Sequence, residues 1–100
     1  METILTMMKV DLSILTTTLY DERFRQLISA AIEAIAAEGV DTLNVNDPLD
    51  QQLIAMYAEW LWRKRDFTLG TRQNVDMTIM PRSLRLMLNN RKTGEVVRRD

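Results

Sequence analysis

The chain has 100 residues, of which 46% are hydrophobic and 27% are charged, and it contains only three glycines and two prolines. This length and composition predict one soluble, mostly regular domain with a single modest core, and they exclude a disordered or fibrous chain. The chain has no Cys and no His, which removes the commonest nucleophile, general base and zinc ligands, so we expect no enzymatic activity, no cofactor and no metal.

The net charge of −1 conceals a division along the chain. Residues 1–62 contain three basic and ten acidic residues, a net charge of −7, whereas residues 63–100 contain ten basic and four acidic residues, a net charge of +6. The basic third could bind the acidic body of the next copy, because opposite potentials orient association, or it could face phosphates. It could equally consist of ordinary solvated residues at helix ends.

The opening of the chain does not resemble a targeting segment. Glu2, Lys9 and Asp11 interrupt it, and no apolar stretch approaches the roughly 18 residues of a membrane-spanning helix. We therefore expect a cytoplasmic protein with no membrane span.

A short first helix is predicted near the start of the chain. Thr6 can cap it, and Leu5, Met8 and Leu12 fall on one face of a 3.6-residue period. The three threonines at 16–18 should then end it, because β-branched residues with hydroxyls favour caps and extended backbone.

The second helix is predicted from about Leu19 to Glu38. Thr18 and Asp21 have the spacing of a capping box, and Gly39 can take the left-handed position after the last turn. The helix carries one continuous apolar stripe, formed by Phe24, Leu27, Ile28, Ala31, Ile32 and Ile35.

The third helix is predicted over 48–65, with Asp47 as its N-cap and Pro48 at its first position. Its expected core face consists of Leu49, Leu53, Met56, Tyr57, Trp60 and the stem of Lys64, and Ala55, Ala58 and Trp62 form a second apolar strip. Two apolar faces imply two neighbours, and the second neighbour could be another copy of the chain. Alternatively, Trp62 covers the first helix or the following loop.

Residues 66–80 have the two-residue alternation of a hairpin or an extended arm around a polar turn at 70–74. Such a stretch is either a hairpin or a functional projection. A fourth helix is then predicted to begin at Pro81. Leu84, Met87 and Leu88 form its apolar edge, and Gly94 should end it. The predicted fold is all-α: a small bundle of about four helices in one domain, 1–94, with a protruding 66–80 arm and a charged 95–100 tail.

No phosphate-binding loop, nucleophile elbow or EF-hand spacing occurs in the sequence. The acidic pairs Asp47 with Asp50 and Asp21 with Glu22 lie in first turns of predicted helices, where acids cap and interact with the dipole. An alternative function is a small nucleic-acid-binding regulator that uses its basic third, at Arg82, Arg85, Arg91 and Lys92. About fifteen residues precede its fourth helix, too many for the turn of a helix-turn-helix motif.

The order of these elements resembles the head-tail connector (adaptor, or head-completion) proteins of tailed bacteriophages. The resemblance covers residues 5–65 and 80–91 and rests on helix starts and apolar spacing. It is carried by Leu5–Leu12, Tyr20–Ala31, Asp47–Leu49 leading into Ala55–Ala58, and Met80–Leu84.

The resemblance implies a small helical virion protein without enzymatic activity. Many copies, about twelve by family resemblance, would form a ring that joins the portal to a tail-side completion or stopper protein. Double-stranded DNA would pass through the lumen without sequence-specific contact, and the ring would be assembled in the host bacterial cytoplasm and end at the head-tail interface of the virion.

Such a ring needs two different, complementary patches on each chain. The second apolar strip nominates Trp62, and the resemblance assigns contacts with neighbours and the portal to the arm and the C-terminal segment. The candidate interface residues are Trp62, Phe67, Leu69, Arg72, Val75, Met77, Ile79, Arg91, Lys92, Arg98 and Arg99.

Overall fold

The structure, a computed structural model, describes residues 2–13, 17–40, 42–66 and 80–99, with the backbone alone for 65, 66 and 94–99. The described residues contain four helices and no strand, and the fold is all-α. The helices are α1 (Glu2–Asp11), α2 (Asp21–Ala37), α3 (Pro48–Asp66) and α4 (Arg82–Arg99). Among these four helices of the described ranges, none is both long and apolar enough to cross a lipid bilayer. The predicted arm lies, over 67–79, outside the described residues.

Helix α3 is the centre of the bundle, because α1, α2 and α4 all pack against it. Residues on nearly every side of α3 are therefore buried: Leu53, Ile54, Ala55, Tyr57, Ala58 and Trp60. The two apolar strips predicted for α3 therefore pack against other helices of the same chain.

Leu49, which was predicted to face the core, is instead 70% exposed, so that prediction was wrong. The next residue, Asp50, takes the inward position at the start of α3 and is only 2% exposed. A carboxylate can occupy this place because it has charged and hydrogen-bonding partners there, which are described below.

The apolar stripe predicted for α2 is confirmed. Phe24, Ile28, Ala31 and Ile35 are fully buried, Leu27 is 8% exposed, and Ile32 packs against them half-buried. Alternation of apolar and polar residues at helical spacing was enough to predict this face, since the helix has one side towards α3 and one towards solvent.

Helix α2 ends as predicted, at Gly39. The residue has a φ of +117°, its N–H donates to the Ala36 carbonyl at 3.0 Å, and the Val40 N–H donates to the Ile35 carbonyl at 3.3 Å. This pair of bonds is a Schellman motif, which satisfies carbonyls that the last helical turn leaves open. It also turns the chain so that Val40 enters the core.

The predicted starts of α1 and α2 were wrong. Helix α1 begins at Glu2, and Thr6 lies inside it, where its hydroxyl donates to the Glu2 carbonyl at 3.1 Å. Helix α2 begins at Asp21 without a side-chain cap; the Thr18 carbonyl accepts from the Asp21 N–H, and the Thr17 hydroxyl accepts from the Leu19 N–H at 3.1 Å. Threonine hydroxyls that find partners in the adjacent backbone do not act as caps.

The predicted end of α4 was also wrong. The backbone stays helical through Gly94 to Arg99, so residues 95–99, expected to form a charged tail, belong to the helix. One glycine in a helix interior costs about 1 kcal/mol relative to alanine, which weakens a helix without necessarily ending it. At the other end, the Pro81 carbonyl accepts from the Arg85 N–H at 2.9 Å, so the proline precedes the first helical residue.

Gly39→Ala is expected to lower the free energy of unfolding by about 1–2 kcal/mol, because an L-residue is strained at this positive φ. The new Cβ would lie 3.9 Å from Lys92 Cδ, an ordinary contact, so the loss comes from the backbone alone. Urea denaturation measures the change. Gly94→Ala is the matched control: on helical backbone it should stabilise the protein by about 0.5–1 kcal/mol, and equal effects of the two changes would contradict the assignment.

Candidate assembly surface

The site at which α4 binds the rest of the bundle is organised by a buried ion pair. Arg91 Nε donates to Asp50 Oδ1 at 2.8 Å, and Arg91 Nη2 donates to Asp50 Oδ2 at 3.2 Å. The two side chains are 14% and 3% exposed. A two-bond guanidinium–carboxylate contact of this kind fixes both orientation and distance.

Backbone groups complete the surroundings of this pair. The Asn44 N–H donates to Asp50 Oδ2 at 2.9 Å, and Arg91 Nη2 also donates to the Thr42 carbonyl at 3.0 Å. The loop before α3 is itself held by the Asn44 side chain, which accepts from the Asn46 N–H at 2.9 Å. Asp50 thus joins α4, this loop and the first turn of α3, a role beyond the capping and dipole effect that its position predicted.

Glu38, at the end of α2, is a second acidic anchor for α4. Its carboxylate lies 3.4 Å from Lys92 Nζ and 3.7 Å from an Arg85 guanidinium nitrogen. Arg85 and Lys92 are seven residues apart and therefore share one face of α4. Burial raises the pKa of Tyr57 nearby, the charge of Glu38 raises it further, and Arg85 opposes the change.

The charge complementarity between the acidic body and the basic third is therefore present within a single chain. Four basic side chains are described on α4, at Arg82, Arg85, Arg91 and Lys92, and the last three contact Asp50 or Glu38. Phosphate contacts by these three residues would compete with their ion pairs. This competition disfavours the nucleic-acid alternative, which relies on the same four residues.

Trp62, predicted at an interface or over another part of the chain, packs within the chain against the start of α2. Its ring makes edge contacts with Phe24, at a centroid distance of 4.9 Å, and with Tyr20, at 5.5 Å. Trp62 is half-buried and Tyr20 is 39% exposed, so the outer edge of this aromatic cluster faces solvent.

The remaining predicted interface residues are not described at the level of side chains. Arg98 and Arg99 belong to the helical backbone of α4. The others lie outside the described residues: Phe67, Leu69, Arg72, Val75, Met77 and Ile79.

Among the residues that the structure describes, two apolar grooves flank α3, and they share no lining residue. The first, of about 290 Å³, lies between α3 and α4, with Leu49, Leu53 and Met87 as its apolar lining and the exposed Leu86 close by in sequence. The second, of about 470 Å³, lies between α1 and α3 and is lined by Thr3, Thr6, Met7, Val10, Asp11, Gln52, Ala55 and Met56. Val10 is 54% exposed, so both grooves present large aliphatic groups to solvent.

A buried acid lies behind the second groove, and the sequence analysis missed it. Glu59 is 6% exposed, and its Oε2 has no hydrogen-bond partner. The pKa of Glu59 is raised to about 8, mainly by burial and further by a hydrogen bond with Asp11 and the charge of Asp11, whereas Arg63 opposes the change. At neutral pH the side chain therefore holds a proton between α3 and the end of α1. Its one sequence signal was an acid between Ala58 and Trp60, the single charged residue of the stretch 53–62.

An ion pair of low exposure also joins α1 to α2. Lys9 Nζ lies 2.9 Å from Asp21 Oδ1, and the two side chains are 11% and 16% exposed. Within the described part of the chain, no three acidic side chains come together closely enough to hold a metal ion.

Comparison with known proteins found no match among family models, curated proteins or solved structures. What the protein does is therefore inferred from its own residues and contacts.

Proposed function

We propose that this protein is a structural assembly protein, a phage head-tail connector whose copies form a ring between the portal and the next tail-side component. The observation that carries the proposal is the presence of two separate apolar grooves with exposed aliphatic side chains on one small chain. A head-to-tail interface requires two such unlike patches, and it closes into a ring when the rotation between neighbours permits.

The exposed aliphatic groups favour contact with a macromolecule. Leu49 and Leu86 are 70% and 51% exposed on neighbouring helices, and Val10 is 54% exposed on α1. Single exposed leucines are common on monomers, whereas several exposed aliphatic groups beside apolar grooves are typical of a binding surface. The order of the helices adds the resemblance to connectors.

The proposal is tested by mixing the purified protein with the portal protein encoded in the same genome and imaging the complex by negative-stain electron microscopy. We expect an added ring of density beneath the portal, with native mass spectrometry giving one fixed copy number. A protein that remains monomeric alone and with the portal, and that is missing from purified virions, would rule out a connector.

A surface variant connects this assay to the structure. Leu49→Glu with Leu86→Glu should abolish ring formation and leave the melting temperature nearly unchanged, because both side chains are largely exposed. Ser29→Glu, on the exposed face of α2, adds a charge away from both grooves and should leave assembly intact.

A further inference from the structure

The groove between α1 and α3 is formed by two facing rows of side chains. Each helix contributes residues three and four apart, which lie on one helical face: Thr3, Thr6, Met7 and Val10 on α1, and Gln52, Ala55 and Met56 on α3. The volume of about 470 Å³ is in the range of clefts that bind ligands. Val10 is 54% exposed, so the aliphatic lining is accessible from outside the molecule.

Two carboxyl groups lie at one end of this groove. Asp11 is the single charged side chain among the described residues that line it. Glu59 follows Ala55 and Met56 by one turn on the same face of α3, and its side chain is hydrogen-bonded to Asp11. The groove thus combines an aliphatic lining with an acidic end.

The Glu59 carboxyl has an unsatisfied oxygen at this acidic end. The residue is 6% exposed, and its Oε2 has no hydrogen-bond partner within the part of the chain that the structure describes. Buried polar atoms nearly always have a partner, because leaving one unpaired is costly. Arg63, one turn further along α3, is exposed and acts on Glu59 through its charge. The Oε2 atom therefore marks a position for a hydrogen-bond donor supplied from outside the chain.

We propose that this groove binds a lysine side chain of a partner protein, whose methylene stem lies along Met7 and Met56 and whose ammonium binds Glu59 Oε2 and the Asp11 carboxylate. The methylene stem matches the aliphatic lining, and an ammonium has three donors for the two acids. The planar guanidinium of arginine holds its donors in a wider, fixed fork, which suits a buried oxygen less well. One chain carries the whole site, so the inference goes beyond ring formation and does not depend on it.

The lysine must come from another protein, because the three lysines of this chain are engaged within it. Their contacts are Lys9 Nζ to Asp21 Oδ1 at 2.9 Å, Lys92 Nζ to Glu38 Oε1 at 3.4 Å, and Lys64 Nζ to the centre of the Trp60 ring at 5.1 Å. A second copy could supply an ammonium only by giving up one of these contacts. A partner segment with an exposed lysine has no such cost, and the net charge of −7 over residues 1–62 attracts it.

Binding of an ammonium at this site is coupled to the loss of a proton. Burial and Asp11 raise the pKa of Glu59 to about 8, and Arg63 opposes the change. An ammonium stabilises the ionised carboxylate, so below that pH its binding displaces the proton. The association constant should therefore rise from pH 6 to pH 8, by up to about tenfold per pH unit, and level off above.

The first probe is n-butylammonium, which is a lysine side chain without its backbone. Its binding is followed by NMR through the methyl groups of Met7 and Met56, with n-butanol at equal ionic strength as the control. At pH 8 we expect saturable binding with a dissociation constant on the order of 1–10 mM, and about tenfold weaker binding of n-butanol. Equal binding of the two probes would overturn the site.

Two variants assign the binding to the acidic end of the groove. Glu59→Gln should weaken the binding of n-butylammonium and abolish its pH dependence, because glutamine has no proton to release. Glu33→Gln removes an acid on the exposed face of α2 and should change neither property. Unchanged binding and pH dependence in Glu59→Gln would contradict the role of the carboxyl pair.

A short amphipathic peptide with one lysine between leucines tests the origin of the ammonium. We expect it to bind about tenfold more tightly than n-butylammonium, because its leucines add apolar contacts, and acetylation of its lysine should reverse the gain. A peptide that binds no more tightly than n-butylammonium would overturn a protein partner. Self-association of the parent that Asp11→Asn abolishes would assign the groove to a second copy and overturn the proposal as well. Neither probe requires the portal, so the connector function stands or fails separately.

Discussion

Replacing Glu59 with glutamine is expected to remove a loss of stability that the unsubstituted protein undergoes between about pH 5 and pH 8. The pKa of Glu59 is raised from its ordinary value of 4.5 to about 8, first by burial and then by Asp11. Between these two values the folded chain holds a proton that the unfolded chain has released. The free energy of unfolding therefore falls as pH rises, and the effect levels off above the folded pKa.

The size of this effect follows from linkage. Each pH unit in the window removes up to about 1.4 kcal/mol, so the whole contribution is at most about 5 kcal/mol. Glutamine keeps the shape of the protonated acid and cannot ionise, so the variant should be more stable than the parent at pH 8 and similar to it near pH 4. Urea denaturation at a series of pH values gives the difference between the two proteins.

Two further variants identify the cause of the pH dependence. Asp11→Asn removes the neighbouring charge and should narrow the pH window over which stability is lost without abolishing the loss, because burial is the larger cause. Glu33→Gln, on the exposed face of α2, is the matched control and should leave the slope unchanged. Parallel pH profiles for the parent and Glu59→Gln would contradict the assignment of a protonated Glu59.

Arg91→Met is expected to lower the free energy of unfolding by about 3–5 kcal/mol, because it leaves a buried carboxylate without its guanidinium. The Asp50 side chain is 3% exposed and cannot regain full hydration in the folded state. Asp50→Asn should lower the free energy of unfolding by a smaller amount. The neutral amide oxygen can still accept from the Asn44 N–H, and Arg91, which is 14% exposed, keeps its hydrogen bond to the Thr42 carbonyl.

Lys92→Met is the matched control for the buried pair. The Lys92 and Glu38 side chains are 33% and 30% exposed, so losing their contact should cost no more than about 1 kcal/mol, and the loss should shrink in high salt. Denaturation of the three single variants at low and high salt separates the two kinds of pair. An Arg91→Met variant as stable as Lys92→Met would show that the Asp50 site is hydrated.

The helices that were predicted well depend on interactions within a few residues. The stripe on α2, the stop at Gly39 and the start at Asp47-Pro48 follow from apolar spacing, from the φ that glycine alone adopts easily, and from the fixed φ of proline. These constraints act whatever the rest of the chain does. The predicted span 48–65 therefore differs from α3 by one residue.

The local predictions that failed concern positions where several weak preferences compete. Thr6 and Thr18 have hydroxyls that serve equally well as caps or as partners of nearby backbone, and the structure uses neither as a cap. Gly94 weakens α4 but does not end it. Differences of about 1 kcal/mol decide such positions, and propensity alone does not resolve them.

The sequence by itself determined the all-α class, the location of α2 and α3, and the separation of an acidic body from a basic third. Only the tertiary structure decided what the charges do, because their partners are distant in sequence: Arg91 lies 41 residues from Asp50. The same holds for Glu59, whose proton is retained because α3 is enclosed by other helices and Asp11 lies beside it. Burial and charge pairing depend on what surrounds a side chain in space, and spacing along one helix does not contain that information.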